Sequence, residues 1–190
     1  KTQAALLEAM EERQVTIHGT TYPLPDPFFV VATQNPVEYE GTYPLPEAQL
    51  ARFLFHLVLQ YPSEKQEKDI LKQHRPYFEE VKEIIEPVHT LAAFRQKREA
   101  LKEIVVDESI IDYITTLIRK TRESHRVQLG ASPRAGIAVL MASKAWALLE
   151  GRSYVIPDDV KIVSRPALRH RILISPQAQL EGVTSDQFIQ

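Results

Sequence analysis

The chain has 190 residues, 44% of them apolar, which is enough for one ordinary domain or two small ones with a real core. Its net charge of −2 gives no reason to expect nucleic acid or an anionic membrane as a partner, and the absence of cysteine excludes disulfides, thiolate catalysis and cysteine-ligated zinc. No apolar stretch approaches the roughly 18 residues of a membrane span, so we expect a cytoplasmic protein.

The charge is divided unevenly along the chain. Residues 1–62 hold three Lys and Arg against seven Asp and Glu, whereas residues 63–190 hold twenty against eighteen. We predict an α/β part over 1–62 followed by an all-α bundle over 63–190. Because a two-stranded sheet is marginal and the chain starts within a helical pattern, we also expect further sequence before Lys1.

The first part alternates between helix and strand patterns. Good helix formers predict a helix over residues 2–13, and alternation around His18-Gly19 predicts a hairpin over 14–25. Two apolar runs, 28–32 and 53–59, predict strands buried in a sheet. A loop and a short helix, from residue 46 or 47 to 52, connect these two strands.

The second part carries helix start and stop signals. Ser63 and Gln66 form a capping box, Asp107 is an N-cap, and Pro133 and Pro157 suit first helical turns. The predicted helices cover 63–73, 91–101, a segment from 107, 133–149 and a segment from 157.

Asn35 follows the first predicted strand. At the carboxyl end of a strand in an open α/β sheet, an amide can donate to a phosphoryl oxygen or hold a water without adding charge. The same residue suits a turn ahead of Pro36, so the residues alone leave both interpretations open.

Arg52 ends the short helix, where the helix dipole mildly favours a cation. Pairing with that helix end, or a salt bridge to Glu47, would explain it structurally. A guanidinium offered to a phosphate of a neighbouring subunit, an arginine finger, would explain it functionally.

Arg134 stands in the first turn of the helix that Ser132 and Pro133 begin. The dipole disfavours a cation there, so helix stability does not explain this residue, whereas anion binding at the helix N-terminus would. A single arginine in a first turn is also common, and that interpretation stays open.

Other polar groups give weaker signals. The six histidines show no metal-ligand spacing, so no metal site is expected from them, and Glu38, Glu40 and Glu47 fit a solvated loop. A basic cluster is predicted to be a solvated face or a subunit contact rather than a nucleic-acid site. It consists of Arg165, Arg169, His170 and Arg171.

Four longer segments carry a family signature. They are Lys-Thr-Gln-Ala-Ala-Leu-Leu-Glu-Ala-Met-Glu-Glu-Arg-Gln-Val-Thr (1–16), Ala-Thr-Gln-Asn-Pro (32–36), Glu-Gly-Thr-Tyr-Pro-Leu-Pro-Glu-Ala-Gln-Leu (40–50) and Gly-Ala-Ser-Pro-Arg (130–134). Together, and in this order, they resemble the MoxR family of AAA+ ATPases. Matches of this length are far more specific than a lone glycine-rich loop.

The resemblance implies a truncated AAA+ αβα nucleotide-binding core over 1–62, then a linker helix and a helical lid domain over 63–190. Within it, Asn35 would be sensor 1, Arg52 the catalytic arginine finger acting on the adjacent subunit, and Arg134 sensor 2, which binds the ATP phosphate. ATP and Mg²⁺ would be the cofactors. The implied activity is ATP hydrolysis coupled to chaperone-like remodelling of a protein client.

The resemblance also implies partners. The family forms homo-oligomeric rings, typically hexamers, and its members often work with proteins that bear von Willebrand factor A domains. A membrane span is not expected, and nucleic acid is not an expected partner.

Two features depart from the family pattern. The family usually has Asp before the finger arginine, where this chain has Ala51. No Gly-x-x-x-x-Gly-Lys-Ser/Thr loop and no acidic Walker B strand occur in the chain, and in the family both lie before the position of Lys1. We therefore expect the 190-residue chain alone not to hydrolyse ATP.

Two alternatives come from other functional classes. One is a non-catalytic helical interaction module that uses the lid as a docking surface. The other is a DNA-linked AAA+ relative, which would need a basic groove and would bind DNA in a salt-dependent way.

Overall fold

The structure is a computed structural model that describes residues 2–34, 46–73 and 87–190. Its elements in chain order are α1 (Thr2–Glu12), β1 (Gln14–Ile17), β2 (Thr20–Pro23), α2 (Glu47–Leu50), α3 (Glu64–Gln73), α4 (Leu91–Ala100), a 3-10 turn (Leu101–Glu103), α5 (Glu108–Glu123), β3 (Val127–Leu129), α6 (Pro133–Leu149), α7 (Pro157–Leu168), β4 (Leu173–Ile174), α8 (Pro176–Leu180) and α9 (Ser185–Ile189). None of the helices in the described ranges is long and apolar enough to cross a bilayer.

The first helix and the hairpin form as predicted. Strand β1 pairs antiparallel with β2, and Val15 faces Tyr22 in the register. His18 and Gly19 both have positive φ, 50° and 81°, which suits the tight turns whose twist matches that of a hairpin.

The two predicted buried strands are wrong. Residues 28–32 and 53–59 form no strand, and Val31 and Leu59 are 89% and 94% exposed. An inner strand of a sheet is held by ladder hydrogen bonds from neighbours on both sides. Across the described ranges neither segment has such a neighbour, so the apolar pattern has no sheet to enter.

The longer helices of the second part are confirmed almost to the residue. Asp107 caps α5 by accepting a hydrogen bond from the Ser109 N–H at 2.9 Å, and Gln66 Oε1 accepts one from the Ser63 N–H before α3, also at 2.9 Å. Ser132 stands at the N-cap of α6, but its side chain makes no capping bond. The short elements β3, β4, α8 and α9 were not predicted from the sequence.

The hydrophobic core lies between α5, α6 and α7. Three isoleucines, Ile110, Ile114 and Ile118, form the buried stripe of α5, as their spacing indicates. Small side chains on α6 and on α7, such as Ala135 and Ala167, are fully buried and let the helices approach closely. This core holds the loop that precedes Arg134.

Contacts over long sequence distances connect the hairpin end to α4. Arg98 donates two hydrogen bonds of 2.6 Å to the Asp26 carboxylate, and Arg95 donates one of 2.6 Å to the Asp26 carbonyl. The rings of Phe29 and Phe94 meet edge to face with centroids 6.0 Å apart. The two parts therefore touch, and the domain boundary at residue 62 stays a prediction.

Candidate functional site

Glu11, near the end of α1, binds both of the arginines that the sequence singles out. Its Oε1 accepts a hydrogen bond of 2.7 Å from Arg134 Nη2, and its Oε2 forms an ion pair with Arg52 Nη1. The carboxylate thus joins the segment after α2 to the first turn of α6. Three elements that are distant in sequence meet at this point.

The electrostatics of the site favour an anion. The hydrogen bond from Arg134 is the main cause that holds the pKa of the Glu11 carboxyl below its usual value, and the nearby charge of Arg52 adds to it. The Arg134 side chain is 60% exposed, whereas that of Arg52 is 27% exposed. Both guanidiniums therefore face a place where negative charge is stabilised.

A close backbone approach fixes the loop before Arg134. A side-chain carbon at Gly130 would lie 2.7 Å from the Thr121 carbonyl oxygen and 2.8 Å from Arg122 Cα, so only glycine fits against α5. The Ala131 N–H donates to Thr121 Oγ1 at 2.9 Å, and Arg122 Nε donates to the Ala131 carbonyl at 2.7 Å. The end of α5 thus sets where α6 begins, and with it the position of Arg134.

Arg52 lies in a turn two residues after α2, so the helix ends earlier than predicted. Its guanidinium pairs with Glu11, and the side chain of Glu47, the predicted alternative partner, lies outside what the structure describes. The segment after Arg52 forms a main-chain hydrogen bond to the second part of the chain. The His56 N–H donates to the Pro166 carbonyl at 2.9 Å, which seats the segment after Arg52 on α7.

Arg171, just beyond α7, makes the densest set of contacts to the Arg52 segment. Its Nη2 donates to the carbonyls of Ala51 at 3.0 Å and Phe53 at 2.7 Å, and its Nη1 donates to the Ala167 carbonyl at 2.6 Å. Burial lowers the pKa of the Arg171 guanidinium to about 10, and the charge of Arg134 adds to that effect. The group therefore remains charged at neutral pH.

His170 adds a second contact to the same segment. Its Nε2 lies 3.0 Å from the Phe53 carbonyl oxygen, a distance that suits the tautomer with the proton on Nε2. Burial lowers the pKa of His170 to about 4, against the opposing effect of that hydrogen bond. A second proton would have to enter on Nδ1, which has no hydrogen-bond partner among the residues that the structure describes.

The prediction for the basic cluster needs correction. His170 and Arg171 do not form a solvated face but pack on residues 51–54, and Arg169 forms an ion pair with Asp186. No sequence pattern indicates this arrangement, because a main-chain carbonyl can accept a hydrogen bond from a guanidinium whatever the side chain of its residue. Glu11 was missed for a similar reason, since one of several glutamates on a helix has no distinguishing spacing.

Of the three predicted site residues, the structure brings two together. Arg52 and Arg134 share Glu11. Asn35 lies outside the described residues, so its role stays a prediction.

Two guanidiniums that converge on one carboxylate can equally bind oxygens of a phosphate. The arrangement therefore has the chemistry to bind a phosphate group. For a metal ion, no group of three carboxylate or histidine side chains comes together within the described ranges.

Comparisons with known proteins show the family of this sequence. The model of the ATPase family associated with various cellular activities (AAA) matches residues 1–55, and the model of the AAA lid domain matches residues 119–190. Chaperone MoxR1 of Mycobacterium tuberculosis is 38% identical over 98% of this chain, and Protein MoxR of Methylorubrum extorquens is 28% identical over 93% of it. The chain belongs to the MoxR family of AAA+ ATPases.

The structure agrees with this MoxR assignment. A crystal structure of a candidate ATPase from Cytophaga hutchinsonii superposes with a TM-score of 0.87 and 37% identity, over 98% of this chain and 59% of that chain. YeaC of Bacillus subtilis is 48% identical over the whole chain. The predicted fold class, part of an AAA+ core followed by a helical lid, is confirmed. The chain spans 51% to 59% of the length of the curated relatives it matches.

Proposed function

We propose that this chain supplies the arginines that act on the ATP phosphate in a longer, ATP-hydrolysing MoxR protein. The observation that supports the proposal is the convergence of Arg52 and Arg134 on the Glu11 carboxylate. Neither helix stability nor a local salt bridge requires Arg52 and Arg134 to lie close together. A role in binding the same anion does require it.

Because they bind one carboxylate, Arg52 and Arg134 are placed to bind oxygens of the same phosphate group, and both reach it from the same subunit. If Arg52 acts on the neighbouring subunit's nucleotide, Arg134 acts on that nucleotide too. Their task is to stabilise the negative charge that develops as the terminal phosphate is transferred. Asn35 is proposed to serve the nucleotide of its own subunit as sensor 1.

ATP supplies the phosphoryl group, and Mg²⁺ neutralises charge on its phosphates when both are bound. The described residues of this chain contribute cations to that site. The phosphate-binding loop and the Mg²⁺-binding carboxylate have to come from elsewhere in the longer protein. That the 190-residue chain alone does not hydrolyse ATP stays a prediction.

The remaining parts of the proposal concern assembly and clients. We propose a homo-oligomeric ring, with a hexamer as the expected size, that couples ATP hydrolysis to remodelling of a protein partner in the cytoplasm. Support comes from similarity to a protein named Chaperone MoxR1. A partner with a von Willebrand factor A domain stays a prediction from the family resemblance.

The test is steady-state ATP hydrolysis by the full-length protein with Arg52→Ala. We expect kcat to fall by about three orders of magnitude, in line with the effect of removing an arginine finger, while ATP still binds. Arg119→Ala is the matched control, because Arg119 is a 69% exposed lid arginine whose one ion-pair partner among the described residues is Glu123. Unchanged turnover in Arg52→Ala would contradict the proposed role and favour a non-catalytic module.

A further inference from the structure

The Arg171 guanidinium donates its hydrogen bonds to main-chain oxygens. Besides the bonds from Nη2 to the Ala51 and Phe53 carbonyls, its Nε donates to Ala51 at 3.2 Å and its Nη1 to Leu54 at 3.3 Å. Each hydrogen-bond partner found for it in the described ranges is a carbonyl rather than a carboxylate. Because no carboxylate is among these partners, charge pairing does not explain the position of Arg171. Burying half of a cation also costs desolvation energy, so the position needs another explanation.

Two of the carbonyls that Arg171 binds flank Arg52. Ala51 and Phe53 are the residues immediately before and after Arg52, and Arg171 bonds to the carbonyls of both. A planar guanidinium with donors in a rigid fork fixes the relative orientation of the carbonyls it binds, which a lysine cannot do. The contact therefore fixes the main chain on both sides of Arg52 and does not involve the Arg52 side chain, whose guanidinium pairs with the Glu11 carboxylate.

We propose that Arg171 is a positioning residue that aims Arg52 at the phosphate by fastening the Arg52 segment to the lid. The inference rests on the proposed function of Arg52. Through this contact Arg52 and Arg134 are both attached to the lid. Arg134 lies in the first turn of α6, and Arg171 follows α7, which packs on α6 within one core. A movement of the lid thus moves both arginines together.

Contacts from two residues that precede Arg171 support this role. His170 lies 3.0 Å from the Phe53 carbonyl, and the His56 N–H bonds to Pro166 at 2.9 Å. The segment is thus held at several points along the end of α7. Of these, only Arg171 spans Arg52 itself.

The experiment uses the full-length protein with Arg171→Ala, Arg171→Lys, and Arg119→Ala as the control. We expect kcat to fall by about 100-fold in both Arg171 variants with little change in KM for ATP, because a displacement of about 1 Å in a catalytic group costs that much. Lysine keeps the charge but not the fork, so it should not rescue turnover. Arg119→Ala should retain wild-type kcat.

Mixed rings separate positioning from general damage to the fold. A subunit that presents Arg52 badly still has an intact site of its own, whereas an Asn35→Ala subunit has a defective site but a sound Arg52. Mixing the Arg171→Ala and Asn35→Ala proteins should therefore restore turnover well above that of either alone. Mixing Arg171→Ala with Arg52→Ala should restore nothing, because both fail in the same role.

Several results would overturn the inference. They are normal kcat in Arg171→Ala, rescue by lysine, or failure of Arg171→Ala to complement Asn35→Ala when Arg52→Ala does complement it. If Arg52→Ala also fails to complement Asn35→Ala, the proposed action of Arg52 on a neighbouring subunit is what fails. Should Arg171→Ala not fold, as judged by its urea midpoint, Arg171→Lys carries the same comparison.

Discussion

Arg52 and Arg134 bind the two oxygens of a single carboxylate, that of Glu11. This carboxylate keeps two like charges close together at little electrostatic cost. Under the proposed function, a phosphate that binds the two arginines has to take the place of Glu11. Glu11 would then stabilise the pair of arginines and also compete with that phosphate.

Replacing Glu11 by Gln should lower the thermal unfolding midpoint of the chain by a few degrees at most, since the pairs are partly exposed. Sulfate should restore the midpoint, because a divalent oxyanion can bind the two guanidiniums in place of the carboxylate. Sodium chloride at the same ionic strength should not. Glu12→Gln, one residue further along α1, is the control, and an equal effect of both salts would argue against an anion site.

Replacing Gly130 by Ala should destabilise the chain by about 1 to 3 kcal/mol, because the new methyl group would meet the backbone of α5 at 2.7 Å. Gly136→Ala is the matched control. A carbon there would lie 3.5 Å from Ile118 Cγ1, an ordinary contact, and alanine in a helix should stabilise by about 0.5 to 1 kcal/mol. Urea unfolding of both variants measures the contrast, and similar losses in both would contradict the interpretation.

The stability of the chain should fall as the pH drops below about 6.5 toward 4 because of His170. Its pKa is near 6.5 when unfolded and about 4 when folded, so the unfolded state takes up the proton first. Well above pH 6.5 both states are neutral at this residue, and no dependence on pH arises from it there. Urea unfolding at about pH 7.5 and about pH 5 should show a smaller loss in His170→Gln than in the wild type. The exposed His125→Gln should behave as the wild type does.

Replacing Asp159 by Ala should cost about 3 kcal/mol of unfolding free energy. Asp159 is 1% exposed, binds Arg152 in two hydrogen bonds and accepts the Ile156 N–H at 2.9 Å. Burial alone would raise the pKa of this carboxyl, but the hydrogen bonds from Arg152 and Ile156 hold it below its usual value. The neighbouring Asp158→Ala, at an exposed pair with Lys161, should change the urea midpoint little.

The helices of the second part were predictable because their signals are local. Caps such as Asp107, prolines in first turns, and the stripe of Ile110, Ile114 and Ile118 each act within a few residues. The strand predictions over 28–32 and 53–59 failed because a strand depends on neighbours that the local pattern cannot supply. An apolar run indicates only that burial of the segment would be favourable, not that a neighbouring strand is present to pair with it.

The candidate site was likewise only partly predictable from the sequence. Arg52 and Arg134 were found from motifs and from a helix position that stability does not explain. Their common partner Glu11, and the contacts of Arg171 to main-chain carbonyls, arise from tertiary packing and leave no mark in the spacing of residues.

The way Arg171 holds the Arg52 segment bears on which sequences can keep this arrangement. Its partners at residues 51, 53 and 54 are peptide oxygens, which every amino acid provides. A substitution at residue 51 therefore keeps the accepting oxygen, whereas a substitution of Arg171 removes the donors of every one of these bonds. The side chain at residue 51 and the bond to Arg171 are thus independent of each other.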